Sequence, residues 1–332
     1  MHFLRSILTL SCWLVTSLLA AQSVQRIPSG EVKQLLKKLN VLGSVLYVAA
    51  HPDDENTRLI AYYANEKLFN TAYLSATRGD GGQNLIGPEI RENLGLIRTQ
   101  ELLEARRIDG GAQFFSRAND FGYSKNPIET LSIWDKEKVL EDFVRVIRTV
   151  KPDVIITRFN TLSGTTHGHH TTSALLALEA FDLAGDSSVY PDQLKTLEIW
   201  QPKKLFWNTS SWFYARNKVK FNSEGLYSIN VGTYNPNLGI SYTEMAAQSR
   251  SMHKSQGFGS TGSRGDELEY LELWRGDSSG TDVFGSIDTS WKRVEKSQKI
   301  AQFLLEAQEV YKVENPKPTL GYLLKARQEL LK

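Results

Sequence analysis

The sequence predicts an α/β fold: a Rossmann-like, doubly wound sheet of mostly parallel strands with an appended C-terminal α+β part. Three observations predict it. Short apolar runs alternate with helix-period segments from residue 45 to residue 207, and strand, helix, strand repeated in this way builds a parallel sheet with helices on both faces. After residue 208 the rhythm is lost, and shorter strands and single helices follow. Two polar, histidine-rich segments come directly after apolar runs, where the chain would leave the carboxyl ends of strands.

Residues 1–21 read as a secretory signal. Arg5 and the amino terminus give a positive start, an apolar run follows from Ile7 to Leu19, and Ala20-Ala21 precede Gln22 as small residues for cleavage. The run is too short for a membrane span. The only cysteine, Cys12, lies inside this segment. The residues before it lack the pattern of a lipid attachment site, so it is read as a buried residue of the signal. The mature chain then has no disulfide and no thiolate ligand, and must be stabilised by a core. The expected segments are a signal at 1–21, one domain at 22–313, and a linker with a terminal helix at 314–332, which could lead to a further domain.

Strands are expected at 45–50, 71–77, 112–115, 153–157 and 204–207, from their apolar, β-branched content. Helices are expected at 55–66, 90–107, 136–150 and 172–183; in the third, Val139, Phe143, Ile147 and Val150 fall on one face. A strand at 227–231 and a helix at 242–254 belong to the appended part. The Gly- and Ser-rich stretch 257–266 reads either as a flexible linker or as a substrate lid. A long helix at 291–313 is broken by Asn315-Pro316-Lys317-Pro318 before a last helix from Leu320.

Composition excludes some partners. The 39 basic and 37 acidic side chains nearly balance, and no basic stripe argues for nucleic acid or a membrane surface. Aromatic residues make up 10 % of the chain; carbohydrate contact and ordinary core packing both use them.

Five of the six histidines fall in three segments: His51 in AHPDDE, His167, His169 and His170 in HGHH, and His253 in HKSQ. Histidine is the commonest metal ligand, so its clustering beside paired aspartates points first to a metal site. His51 and Asp54 are three residues apart at the expected helix start and can share a face, leaving Asp53 free to address a water. His167 and His170 repeat that spacing; one can ligate and the other can stand beside an open position. Both segments follow strand ends, so both reach the crevice where doubly wound sheets bind ligands. The bland alternatives are a helix cap for Pro52, Asp53 and Asp54, and for His253 a helix-end residue favoured by the dipole.

These motifs resemble the PIG-L or LmbE-like family of metal-dependent N-acetylglucosaminyl deacetylases over roughly residues 43–290. The strand followed by AHPDDE is similar to the family's first signature. Thr77-Arg78-Gly79-Asp80-Gly81-Gly82 resembles its glycine-rich turn, Arg98-Thr99-Gln100-Glu101 its R-x-x-E helix, and HKSQ its late H-x-S-Q element. His169 departs from the pattern, since the family carries an acidic residue there. The resemblance implies one zinc, or another divalent metal, held by His51, Asp54 and His170. It further implies Asp53 as general base, His167 beside the scissile carbonyl, and Arg98, Asp120, Asp80 and His253 on the substrate side. The expectation is an exported hydrolase, secreted or periplasmic, that removes acetyl from an N-acetylated amino sugar of a glycan or glycoconjugate. The alternatives are an amidase for a larger acyl group and a non-catalytic carbohydrate-binding protein on the same scaffold.

Overall fold

The protein is described by a computed structural model over residues 27–280 and 282–332, so the expected signal and Cys12 lie outside the described residues. In chain order the elements are α1 (Ser29–Lys38), β1 (Ser44–Ala49), α2 (Thr57–Asn65), β2 (Asn70–Ser75), α3 (Glu92–Asp109), β3 (Ala112–Phe115), α4 (Pro127–Ile133), α5 (Lys136–Val150) and β4 (Val154–Thr157). Then come α6 (Gly168–Leu183), β5 (Lys204–Thr209), α7 (Ser211–Arg216), β6 (Tyr227–Asn230), a small hairpin β7 (Tyr234–Asn235) and β8 (Ile240–Ser241), α8 (Tyr242–Arg250), β9 (Leu268–Gly276), α9 (Gln298–Val310) and α10 (Lys317–Leu330).

Seven strands form one sheet in the order β3-β2-β1-β4-β5-β9-β6. The first five are parallel, and β9 runs antiparallel to both β5 and β6. The chain winds outward from β1 to β3 and then returns to place β4 on the other side of β1. That reversal opens a crevice beyond the carboxyl ends of β1 and β4.

Alternation along β1 explains why both faces are covered. Leu46 and Val48 pack with Leu74, Val139, Phe143, Ile147 and Leu176 under α5 and α6. Val45 and Tyr47 pack on the opposite face with Leu59, Tyr63, Tyr73 and Leu102 of α2, β2 and α3. The periodicity of α5 is thus satisfied as expected, and all five expected parallel strands are present.

Of the boundaries that differ from expectation, three have the following form. Helix α2 starts at Thr57 rather than at residue 55, because the Asn56 side chain accepts hydrogen bonds from the Arg58 and Leu59 backbone N–H groups and caps it. Helix α6 starts at Gly168, four residues earlier than expected. The 291–313 helix is interrupted: a single turn at Trp291–Arg293 precedes α9.

The appended part extends the same sheet. The terminal helix α10 packs back on α9 through Ile300, Leu304 and Ala326. Among the described residues, no helix is long and apolar enough to cross a membrane.

Candidate metal and hydrolytic site

The loop after β1 holds Asp53 and Asp54 in different surroundings. It is a turn closed by Asp54 N–H donating to the His51 carbonyl at 3.3 Å, with the Asp54 carboxylate accepting from the His51 backbone N–H at 2.8 Å. Asp53 sits at φ 90°, in the left-handed region that ordinary residues seldom adopt. Three contacts hold it there: its N–H donates to Glu55 Oε2 at 2.9 Å, its carbonyl accepts from Arg250 at 3.1 Å, and the Pro52 carbonyl before it accepts from Arg98 at 2.5 Å.

Asp54 faces the histidines. Its Oδ2 lies 3.0 Å from His51 Nδ1 and its Oδ1 lies 3.4 Å from His170 Nε2. Burial works to raise its carboxyl, but the neighbouring His170 and His51 outweigh burial and hold it well below the usual range. Asp53 turns the other way, with Oδ1 3.2 Å from the buried Arg98 guanidinium. Burial pushes its carboxyl up to about 6, against the pull of Arg98 and with a further push from Asp54. Two adjacent aspartates are thereby separated in protonation by environment alone.

The early start of α6 decides where the second cluster points. His167 is the residue before the helix, and His169 and His170 lie in its first turn, roughly 100° apart around the axis. His170 therefore reaches the crevice, its ring stacked on Phe159 at 3.8 Å. His169 turns inward, fully buried between Trp134 and Phe121. Glycine at 168 permits this, because a Cβ there would collide with Ser124, Asn126 and Thr130 of the adjoining segment.

The four imidazoles of this site crowd together, with His167 and His170 ring centres 4.0 Å apart and His51 5.1 to 5.3 Å from the other three. Burial and the charge on His51 push His167 down to about 4. His170 is pushed down to about 3 by burial and by its histidine neighbours, against the opposing pull of Asp54. Both rings are thus neutral at pH 7, and His167 can act there as an N–H donor but not as an imidazolium. Buried ring nitrogens of His167, His169 and His170 have no hydrogen-bond partner among the described residues. Neutral imidazoles with orphaned nitrogens, gathered on an ionised carboxylate, fit a divalent cation of borderline softness such as zinc.

Ligating atoms converge in two other groups, His51 with His167 and His170, and His51 with Asp120 and His169. We favour His51, Asp54 and His170, because Asp54 alone bridges both histidines with one oxygen to each.

Several residues expected on the substrate side have other duties. Arg98 is 3 % exposed and donates to the Gly79 and Pro52 carbonyls while facing Asp53, so it holds Asp53 rather than a sugar. Gly79, at φ 71°, has no room for a side chain beside that guanidinium. His253 is fully buried and meets Glu55 at 2.7 Å. Burial works to raise the Glu55 carboxyl, but His253 and Arg106 outweigh it and hold it low. Sequence reasoning overlooked this buttress, although Glu55 closes the AHPDDE motif. Glu101, which the sequence marked as the acidic residue of the R-x-x-E motif without giving it a role, accepts from the Ser255 N–H and hydroxyl, both at 2.7 Å, and so ties the helix motif to the HKSQ turn. Asp120 and Asp80 do border open space, lining a cleft of about 400 Å³ with Arg91 and Phe121.

His169 meets His51, with Nδ1 3.1 Å from His51 Nε2. Burial and the other three histidines push it down to about 2, so it is neutral. With His51 Nδ1 turned to Asp54, the consistent assignment has His51 Nε2–H donating to His169 Nδ1. His169→Ala is expected to weaken metal affinity about 10- to 100-fold in chelator competition, with His169→Asn, which keeps an acceptor, closer to the parent. Unchanged affinity would remove this orienting role, and complete loss of metal would make His169 a ligand.

Residues 46–181 match the model of the PIG-L family, described as GlcNAc-PI de-N-acetylase. Mycothiol S-conjugate amidase of Streptomyces coelicolor is 29 % identical over 179 residues, which cover 49 % of this chain and 60 % of that protein. The 1D-myo-inositol 2-acetamido-2-deoxy-alpha-D-glucopyranoside deacetylase of Streptomyces scabiei is 30 % identical over 183 residues, covering 49 % of this chain and 55 % of the relative. The chain therefore matches little more than half the length of these curated relatives. Among solved structures, N,N'-diacetylchitobiose deacetylase from Pyrococcus horikoshii aligns with a TM-score of 0.46 at 16 % identity, covering 64 % of this chain and 70 % of that one.

Proposed function

We propose, from the match of residues 46–181 to the PIG-L family model, that this protein is a metal-dependent hydrolase that removes acetyl from an N-acetylated amino sugar of a glycan or glycoconjugate. One observation carries the reading: His51, Asp54 and His170 converge at the carboxyl ends of β1 and β4, with Asp53 held beside them but turned away by Arg98.

A divalent cation held by His51, Asp54 and His170 would lower the pKa of a water toward ~7 and polarise an amide carbonyl. Asp53 is the base. Its carboxylate accepts the proton of the attacking water and returns it to the amine nitrogen that leaves. His167, neutral and partly exposed, donates an N–H toward the oxygen on which negative charge develops. Asp80 and Asp120 are placed to accept hydrogen bonds from sugar hydroxyls along their shared cleft. Residues 1–21 support export, and a protein recovered from medium or periplasm should begin at Gln22.

Turnover of the metal-loaded protein on a panel of N-acetylglucosamine derivatives should release acetate and free amine in equal amounts. Sugar binding with no amine released from any N-acyl hexosamine would leave the non-catalytic reading. The amidase relative favours a second reading, a larger acyl group; competition between acetyl and longer acyl amides separates the two.

A further inference from the structure

Among the described residues, four aromatic rings border the histidine cluster, and one of them is unlike the rest. Phe121 and Trp134 enclose His169, and Phe159 lies flat on His170. Trp134 and Phe159 are buried and Phe121 is half-buried, as rings that serve packing should be. Tyr123 is the fourth. Its ring centre is 5.8 Å from that of His167 and the two planes meet at 34°, yet the side chain is 77 % exposed.

A large exposed side chain on a connecting segment usually rides on a mobile backbone. Here the backbone is fastened on both sides. Before Tyr123, the Gly122 N–H donates to Asp120 Oδ1 at 2.9 Å and Gly122 takes φ 90°, a turn that glycine makes without strain. Gly81 lies against that turn, where a Cβ would strike Asp120 and Gly122. After Tyr123, Ser124 is fully buried; its carbonyl accepts from the Gly168 N–H at 2.7 Å and its hydroxyl meets Thr130 at 2.7 Å. Tyr123 belongs to neither main core cluster, and a small polar residue would serve an exposed turn as well. A ring shown to solvent on a stiff turn beside His167 is a contact surface whose ordering cost is met before any ligand arrives.

The chemistry of a pyranose accounts for the pairing of this ring with Asp120, which stands on the same loop. The rim of the sugar carries hydroxyls that need strong acceptors, and Asp120 and Asp80 line a cleft where they can supply them. Its face is a set of axial C–H groups, apolar and slightly positive, which suits the negative face of an aromatic ring. One rigid loop can therefore grip both rim and face.

We propose that Tyr123 is the stacking platform for the N-acetylated sugar, packing on its C–H face while Asp120 holds a hydroxyl and His167 meets the carbonyl oxygen. The inference rests on the deacetylase reading for the identity of the sugar. The contact is made by the ring face of Tyr123 and not by its hydroxyl. It is the same before and during bond cleavage, so it governs binding and leaves the chemical step alone.

Proton NMR titration of methyl glucosaminide, the amine product, with the full-length, metal-loaded protein should move the axial sugar protons upfield, the mark of a ring stacked over them. The shift should persist in Tyr123→Phe and Tyr123→Trp and vanish in Tyr123→Ala. In turnover of methyl N-acetylglucosaminide, Tyr123→Ala should raise KM about two- to tenfold, the usual worth of one aromatic contact, with kcat held and Tyr123→Phe close to the parent. All three variants should keep the parent's circular dichroism and Tm, since the side chain supports no core. Unchanged sugar shifts and KM in Tyr123→Ala overturn the proposal. So does a Tyr123→Phe as weak as Tyr123→Ala, which would make the hydroxyl the contact. Good turnover that is indifferent to Tyr123→Ala removes the platform and leaves the deacetylase reading intact. Where no amine is released, the N-acetyl sugar is itself a stable probe, and an upfield shift on it that is lost in Tyr123→Ala keeps the platform and overturns the deacetylase reading.

Discussion

Asp53→Asn should leave the metal in place and lower turnover by a factor on the order of 10² to 10⁴, the range for a lost general base. Asparagine is nearly isosteric, tolerates the left-handed backbone at φ 90°, and can still accept a hydrogen bond from Arg98. What it cannot do is accept a proton. The pH dependence follows from the same residue. Asp53 serves only when deprotonated, and its carboxyl is pushed up to about 6 by burial against the pull of Arg98. Turnover should therefore rise with pH through a limb at or below about 6, since a bound cation can only lower it. That limb should vanish in the variant. Elemental analysis and a pH–rate profile check both halves. Equal metal loss in Asp53→Asn and Asp54→Asn would show that the two aspartates do not divide the work.

Legibility in the sequence followed how local each feature is. The strands β1 and β4 and helix α5 were readable because short apolar runs and a one-sided helix face are local patterns, and the histidine segments after those strands led to the crevice. The start of α6 was not readable. Gly168, His169 and His170 are poor helix formers in isolation, and only packing of Gly168 against the Ser124–Thr130 segment draws them into the first turn. That one shift sends His169 to the interior instead of the crevice.

Strand β9 was missed because Glu269 and Glu272 interrupt its apolar pattern. Glu269 lies 2.8 Å from Arg58 and also accepts from Asn208, a reason for polarity that no local pattern carries. The same limit applies to Arg98 and His253. Their motifs were visible, but their burial behind Asp53 and Glu55 depends on contacts across many residues.

The second large effect is expected in His51→Ala and His170→Ala, each of which should lose bound metal and activity together while the fold persists. Both residues lie at loop or helix-start positions beyond the strand ends, so truncation opens no hole in either main core cluster. Removing one of three ligands leaves a site with too few donors for tight binding. It also withdraws one of the partners that hold Asp54 ionised, which weakens the remaining oxygen ligand as well. Elemental analysis after gel filtration should find stoichiometric metal in the parent and none in either variant, with unchanged circular dichroism. His167→Ala is the discriminating control. His167 shares a group with His51 and His170, yet it lacks a carboxylate within 4.0 Å among the described residues, whereas His170 faces Asp54 at 3.4 Å. It should keep its metal and lose rate. Full occupancy in both His51→Ala and His170→Ala would end the assignment, and metal lost in His167→Ala but kept in His170→Ala would move the third ligand from one end of that histidine pair to the other.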